Sequence, residues 1–237
     1  MQSLLKKRIR KLLTRFMRGK RYSCPICGGS FRWLLPGGAN KRPNAQCPSC
    51  GSLERHRTFW LFIQQNPLKA KTLRVLHFAP EPCFESIFRS WKQWTYQTAD
   101  LYYQPVDLIL DLENIALPNS CIDLVVCHHV LPEIPNDLQA LTEIFRILAP
   151  QGTLLMQNPY HPTQQKTLHA KDMLPEERQK KWGKYAVSYQ HEYGKDFLQV
   201  LEKVGFNTTI ITPNDFCTQE DINLFRLGGT LFVCTKL

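Results

Sequence analysis

The sequence predicts an α/β protein: a mostly parallel sheet with helices on both faces, preceded by a small cysteine-paired module and a basic helix. Three observations predict it. From residue 73 onward, short apolar runs alternate with amphipathic stretches of helical length, the pattern of repeated strand–helix units. Ahead of them, Cys24-Pro25-Ile26-Cys27-Gly28 and Cys47-Pro48-Ser49-Cys50-Gly51 repeat one five-residue pattern, with nineteen residues between Cys27 and Cys47. At the start, residues 1–22 hold nine Lys or Arg and no Asp or Glu.

The elements follow in chain order. Leu4, Leu5, Ile9, Leu12, Leu13, Phe16 and Met17 recur at three- and four-residue steps, which predicts a helix over 1–22 with one apolar face. Lys6, Lys7, Arg8, Arg10, Lys11, Arg15, Arg18, Lys20 and Arg21 take the remaining positions and carry nearly all of the net charge of +10. Such a helix suits an anionic membrane surface, nucleic-acid phosphates, or the protein's own surface. Composition does not choose among these.

Each cysteine pair places two thiolates on a tight turn, stiffened by proline and closed by a glycine that tolerates positive φ. Two such knuckles at this spacing predict a zinc ribbon in which Cys24, Cys27, Cys47 and Cys50 surround one Zn²⁺. Four thiolates leave no open coordination position, so the metal is expected to be structural. Between the knuckles, Phe31–Leu35 reads as a strand and Pro36–Asn40 as a turn. Ser52 is placed to cap a helix through Leu53–Ile63, which Asn66-Pro67 ends. The module is thus expected to span 23–66, and the larger domain 67–237.

In the larger domain Leu73–Phe78 reads as a buried strand and Pro82–Trp91 as a helix. Tyr96–Leu101, Asp107–Leu112 and Ile122–Val130 follow as strands. Asp137–Leu148 is a helix, Gly152–Asn158 a fifth strand, and Tyr193–Val204 a helix closed by Gly205. Phe206–Ile211 and Thr230–Lys236 are late strands. In such sheets ligands sit at the carboxyl ends of the strands. No run approaches the ~18 apolar residues of a membrane span. Nine cysteines, four in metal spacing, and an N-terminus without an apolar leader point to a reducing, cytoplasmic setting.

Within this pattern, Asp111 to Val126, with its Leu117-Pro118 loop and Ile122-Asp123 strand opening, resembles the third and fourth strands of class I S-adenosylmethionine-dependent methyltransferases of the type 11 kind. His129-Val130-Leu131-Pro132-Glu133-Ile134 and Leu141 to Gly152 continue the likeness, which covers about residues 71–237. The pairing of the cysteine knuckles with Ser52-Leu53-Glu54-Arg55-His56-Arg57 and Leu76-His77-Phe78-Ala79-Pro80-Glu81 resembles a zinc-ribbon branch of these enzymes. The resemblance implies a Rossmann-like seven-stranded sheet and S-adenosylmethionine as cofactor. It also implies that Asp100 binds the ribose hydroxyls beside Leu101, that Asp111 reaches the adenine amino group and Leu112 the ring, and that Cys127 and His128 line the cofactor near its methyl group.

The chain departs from the family at its first loop. An acidic residue and three alternating glycines are usual there; this chain has His77, Ala79, Glu81 and Cys83. The reading that keeps the cofactor has the Glu81 carboxylate pair with its α-ammonium, replacing the acid absent at His77. Methyl transfer demands alignment first, and a base only where the acceptor loses a proton. Candidate bases are His128, His129, Glu133, Tyr160 and His161. Asn158-Pro159-Tyr160 superficially resembles the Asn-Pro-Pro-Tyr motif of amino-group methyltransferases, but it follows the fifth strand and not the fourth, so no role is transferred. Residues 160–192 are expected to form a substrate-side insertion. The expected function is methyl transfer to an unidentified acceptor. The alternative is a nucleic-acid-binding zinc-ribbon protein with a catalytically silent domain, and the partners expected for residues 1–22 are RNA or an anionic membrane.

Overall fold

A computed structural model of the chain describes residues 14–38 and 41–237. In chain order the elements are β1 (Arg18–Ser23), β2 (Ser30–Phe31), β3 (Leu35–Gly37), β4 (Arg42–Gln46), α1 (Glu54–Gln65), β5 (Leu73–Phe78), α2 (Pro82–Ser90), β6 (Trp94–Asp100), β7 (Leu108–Ile109), β8 (Ile122–His128), α3 (Asp137–Ile147) and β9 (Leu148–Gln157). They continue with β10 (Leu168–His169), α4 (Pro175–Trp182), β11 (His191–Glu192), α5 (Phe197–Val204), β12 (Phe206–Ile211), α6 (Gln219–Phe225) and β13 (Leu231–Lys236). The chain divides into two compact units. One gathers Met1–Lys69, Pro82–Phe84 and Thr212–Gly229; the other holds Ala70–Glu81, Glu85–Ile211 and Thr230–Leu237.

The smaller unit is built on the two knuckles. β1 and β2 pair antiparallel, with Tyr22 opposite Phe31 and Ser23 opposite Ser30, and lead into and out of the first knuckle. There the N–H of Gly28 returns to the carbonyl of Cys24 at 2.9 Å, with Gly28 at φ +68°. β3 and β4 pair ahead of the second, where Gly51 (φ +79°) donates to the carbonyl of Cys47 at 3.0 Å. Met17, Tyr22, Phe31 and Leu34 close around Cys24 and Cys47.

Several expectations change here. Residues 1–13 of the expected basic helix lie outside the described residues. Within them Thr14–Phe16 are helical, but Arg18–Ser23 form a strand, because pairing with β2 buries Tyr22 against the knuckle. The expected strand Phe31–Leu35 is split in two. The N–H of Leu34 leaves the ladder for the Asn44 side chain at 3.0 Å, and Pro36-Gly37 belong to β3 instead of a turn. Leu53, not Ser52, precedes α1, and its N–H is taken by His56 Nδ1 at 3.1 Å. Thr212–Gly229, with α6, belongs to this unit and not to the larger one.

The larger unit holds one seven-stranded sheet in the order β12-β13-β9-β8-β5-β6-β7. β5 through β9 run parallel, and β13 lies antiparallel to both of its neighbours. Residue parity sorts the side chains. Leu76, Phe78, Val125, Cys127, Leu154 and Met156 enter one core with Leu141 and Ile144 of α3 and Phe197 and Leu201 of α5. The partners in register on the other face are Val75, Leu124 and Thr153, then His77, Val126 and Leu155, then His128 and Gln157. α5 ends on Gly205 at φ +111°, where an added Cβ would sit 3.0 Å from the Phe145 ring. The chain leaves β5 toward β6 and β7 on one side and later returns to place β8 and β9 on the other. The switch point, where such sheets bind ligands, therefore lies at the carboxyl ends of β5 and β8.

Between β9 and α5 comes the insertion. The β10–β11 hairpin flanks α4, and buried Glu192 accepts from Trp182 Nε1 at 2.7 Å, Lys181 Nζ at 2.9 Å and His161 Nε2 at 3.1 Å. His191 Nε2 donates to the carbonyl of Ile134 at 2.9 Å, and the N–H of Gln190 to that of Pro132 at 2.7 Å. The insertion is thereby fixed to the loop after β8.

Candidate metal centre and cofactor cleft

In the smaller unit the sulfurs of Cys24, Cys27, Cys47 and Cys50 all lie within 4.8 Å of one another. Cys24 and Cys50 are 3.6 Å apart, and Cys27 and Cys47 3.7 Å. Zinc–sulfur bonds of about 2.3 Å at tetrahedral angles require sulfurs about 3.8 Å apart, so the four residues fit the ion. Ser52 is fully buried and spends its hydroxyl here, 3.4 Å from Cys24 Sγ and 3.2 Å from Cys50 Sγ. Sequence reasoning gave that hydroxyl to a helix cap and missed its place beside the sulfurs.

The cleft residues of the larger unit converge on the switch point. Ala79 leaves β5 at φ +47°, a left-handed conformation costly to a residue with a Cβ, and its N–H is fixed to the carbonyl of Ala99 at 2.8 Å. This turn carries Glu81 back over the strand ends. One Glu81 oxygen accepts from His77 Nε2 at 2.9 Å and the other from His128 Nδ1 at 3.2 Å. With Nε2 donating to Glu81, the Nδ1 of a neutral His77 accepts the Tyr96 hydroxyl at 2.8 Å. A line Tyr96–His77–Glu81–His128 therefore joins β6, β5 and β8, with both imidazoles buried and the carboxylate 11% exposed. Burial pushes the Tyr96 hydroxyl well up, so it stays protonated. Tyr96 was not among the site residues expected from sequence.

Asp100 ends β6. Its Oδ1 accepts from the N–H of Tyr102 at 2.8 Å and of Tyr103 at 2.9 Å, which holds the carboxylate upright at the sheet edge. Leu101, Tyr102 and Tyr103 beside it are exposed. Asp111, after β7, accepts from the N–H of Glu113 at 2.9 Å, and the Leu112 side chain is buried in the core. Three carboxylates thus come off three successive strands, β5, β6 and β7.

Cys127 departs from the expectation that its side chain lines this cleft. Strand alternation turns it into the core opposite His128, where burial, then the charge of Glu81, pushes its thiol up to about 12. His129 follows at φ +56°, its N–H on the carbonyl of Gln157 at 2.7 Å. Burial raises the Glu133 carboxyl; a 3.3 Å bond from the Ser188 hydroxyl opposes this and the charge of Asp100 adds to it. Tyr160 packs edge-on against Phe232 with centroids 5.1 Å apart. His161 belongs to the Glu192 anchor.

Gln157 and Asn158, at the end of β9, were read from sequence as a strand terminus, with the motif likeness at Asn158 given no role. They are 1% and 5% exposed, and none of their four amide atoms has a hydrogen-bond partner among the described residues. Buried amides without partners are rare, since each unmade bond costs about 1–3 kcal/mol. Gln157 stands beside His128 in register. Two neighbouring polar residues at the last turns of an otherwise apolar strand were the signal available in sequence.

Comparison with known proteins agrees with this geometry. Residues 75–156 match the protein family described as a methyltransferase domain. Among solved structures, the S-adenosylmethionine-dependent methyltransferase from Mesorhizobium loti is 15% identical. The match covers 75% of this chain and 97% of that one, with a TM-score of 0.50. A chain of the complex between the Haloferax volcanii Trm112 methyltransferase activator and a methyltransferase is 14% identical, with a TM-score of 0.52, over 77% of this chain and 89% of that one. At these identities the likeness shows the fold alone. No curated protein matches. The strand order is that of the Rossmann-like methyltransferase fold, residues 75–156 match the methyltransferase-domain family, and ahead of them four cysteines cluster as in a zinc ribbon.

Proposed function

We propose that the protein transfers a methyl group from S-adenosylmethionine to an acceptor held beside the ends of β8 and β9. The observation that carries this reading is the convergence of Glu81, Asp100 and Asp111 at the carboxyl edge of three neighbouring strands, around a turn whose Ala79 adopts the backbone conformation usual for glycine. Asp100, with one oxygen engaged by backbone N–H groups, would offer the other to the ribose hydroxyls, and Asp111 would reach the adenine amino group. Glu81 spends one oxygen on each histidine. Its negative charge, held at the end of β5, is what would pair with an α-ammonium. When bound, the cofactor supplies a methyl group activated on a sulfonium.

The chain's own residues then bind, orient and exclude water. The His77–Glu81–His128 line fixes the carboxylate, and the insertion walls the loop after β8 through Gln190 and His191. The unpartnered amides of Gln157 and Asn158 offer donors and acceptors to an uncharged polar group. Of the candidate bases, His128 faces Glu81 and Glu133 stands near Asp100, whereas Tyr160 is engaged in packing. Cys24, Cys27, Cys47 and Cys50 would hold a closed, structural Zn²⁺.

The silent-domain alternative is not favoured, because both the carboxylates and the left-handed first turn are in place. No helix among the described residues is long and apolar enough to cross a membrane. RNA and an anionic membrane, the partner classes expected for residues 1–22, concern residues that lie largely outside the described ones. Calorimetric titration of the zinc-loaded chain with S-adenosylhomocysteine tests the cofactor reading. Saturable binding supports it; absence of heat across temperatures and buffers refutes it.

A further inference from the structure

Arg57 of α1 is fully buried, and every hydrogen bond it makes goes to a backbone carbonyl. Its Nε donates to Phe225 at 2.5 Å, Nη1 to Ser52 at 2.9 Å, and Nη2 to Ala45 and Arg226, both at 3.0 Å. Among the described residues no carboxylate forms an ion pair with it. Glu54, one helical turn away, is engaged by Arg42 at 3.0 Å. A guanidinium stays charged in any protein environment, and a buried charge without compensation is costly. Carbonyl dipoles solvate it only in part.

The missing counter-charge lies on the other side of those carbonyls. Ala45 and Ser52 bracket the second knuckle, so one guanidinium clamps the chain entering Cys47 and the chain leaving Cys50. Four thiolates around a dication carry a net charge of −2. Burial acts to lower the Arg57 pKa, and the charges of Cys24, Glu54, Cys47 and Cys50, in that order, act against it, so the thiolates supply counter-charge beside Glu54. The remaining two carbonyls, of Phe225 and Arg226, are end groups of α6, which a cation satisfies well. Thr58 extends the contact, its hydroxyl donating to the carbonyl of Gly228 at 2.9 Å and accepting from its N–H at 3.0 Å.

We propose that Arg57 is the internal counter-ion of a zinc tetrathiolate and that it couples metal retention to the docking of Phe225–Gly228. In the chain this segment lies between β12 and β13. The inference rests on zinc filling the four-cysteine cluster, and it makes Arg57 a positioning residue for the metal.

The test begins with zinc content of the full wild-type chain. One zinc per chain is expected; none would overturn both the cluster reading and this inference. Zinc release to the chromogenic chelator 4-(2-pyridylazo)resorcinol is then followed for Arg57→Leu and Arg57→Lys, with Arg74→Leu as a surface control. Arg57→Leu is expected to release zinc at least tenfold faster. Arg57→Lys should fall between it and wild type, since an ammonium keeps the charge but cannot span four carbonyls. The control should release at the wild-type rate. Release by Arg57→Leu at the wild-type rate would overturn the assignment while leaving the cluster intact. Should Arg57→Leu not fold, hydrogen exchange on the wild-type chain decides. Stripping zinc must speed exchange at the amides of Leu227 and Gly228, and unchanged exchange there refutes the coupling.

Discussion

Glu81→Gln separates binding of the cofactor's amino acid from a purely architectural role. The substitution keeps the shape of the side chain and removes its charge. If Glu81 holds an α-ammonium, the lost charge-assisted hydrogen bond is worth about 1.5–3 kcal/mol, a factor of roughly 10–150 in Kd. The same change also weakens the bonds from His77 at 2.9 Å and His128 at 3.2 Å, so melting temperature should fall in either case and cannot discriminate. A truncated ligand can. Calorimetry with S-adenosylhomocysteine and with 5′-methylthioadenosine, which lacks the amino acid, should show the first weakened by that factor and the second within twofold of wild type. Equal weakening of both ligands would mean that Glu81 only shapes the turn. No weakening of either would remove it from the site altogether.

Further outcomes follow from the same geometry. Ala79→Gly should stabilise the protein by about 0.5–1 kcal/mol in urea unfolding, since relief of about 1–2 kcal/mol of left-handed strain exceeds the entropic cost of glycine. A decrease in stability would mean the alanine methyl makes packing contacts worth more than the strain. His191 is held below its ordinary pKa by burial and by His169, against the pull of Asp137. A histidine with a depressed folded pKa stabilises the fold above its unfolded value near 6.5 and loses that contribution as pH falls. Exchange of the amides around 188–191 should therefore accelerate between pH 7.5 and 5.5, and constant protection, after correction for intrinsic rates, would contradict the assignment. Glu192→Ala leaves the buried Trp182 Nε1 without its acceptor, while the more exposed Lys181 and His161 can hydrate, and should loosen the insertion by about 1–3 kcal/mol. Limited proteolysis is then expected to cut within 160–192 first, and a wild-type pattern would count against the anchor.

Apolar periodicity predicted each strand of the seven-stranded sheet, with ends displaced by zero to four residues, most plainly where β5, β8 and β9 are buried on both faces. The four cysteines were equally legible, since their spacing is itself the geometry. What escaped depends on partners distant in sequence. Arg18–Ser23 continues the spacing of the helical pattern before it, and only pairing with Phe31 makes it a strand. The return of Thr212–Gly229 to the knuckle unit rests on bonds from Arg57 and Thr58 to backbone groups, which any sequence supplies. Ser52 satisfies the rule for a helix cap and is nevertheless drawn to the sulfurs.

The first loop shows how a site can keep its backbone geometry while changing its side chains. The left-handed turn at Ala79 is held by the bond from its N–H to the carbonyl of Ala99. Replacing the usual acid with His77 removes a carboxylate from the end of β5. Glu81, four residues on, brings a carboxylate back to His77, which holds it at 2.9 Å. The substitution and its compensation are therefore one unit: neither residue explains the other's position alone. That dependence accounts for the second histidine as well, since a carboxylate restrained by His77 alone would still pivot, and His128 on the neighbouring strand fixes the other oxygen. The row then reaches Gln157, in register beside His128, whose buried side-chain amide has no hydrogen-bond partner among the described residues.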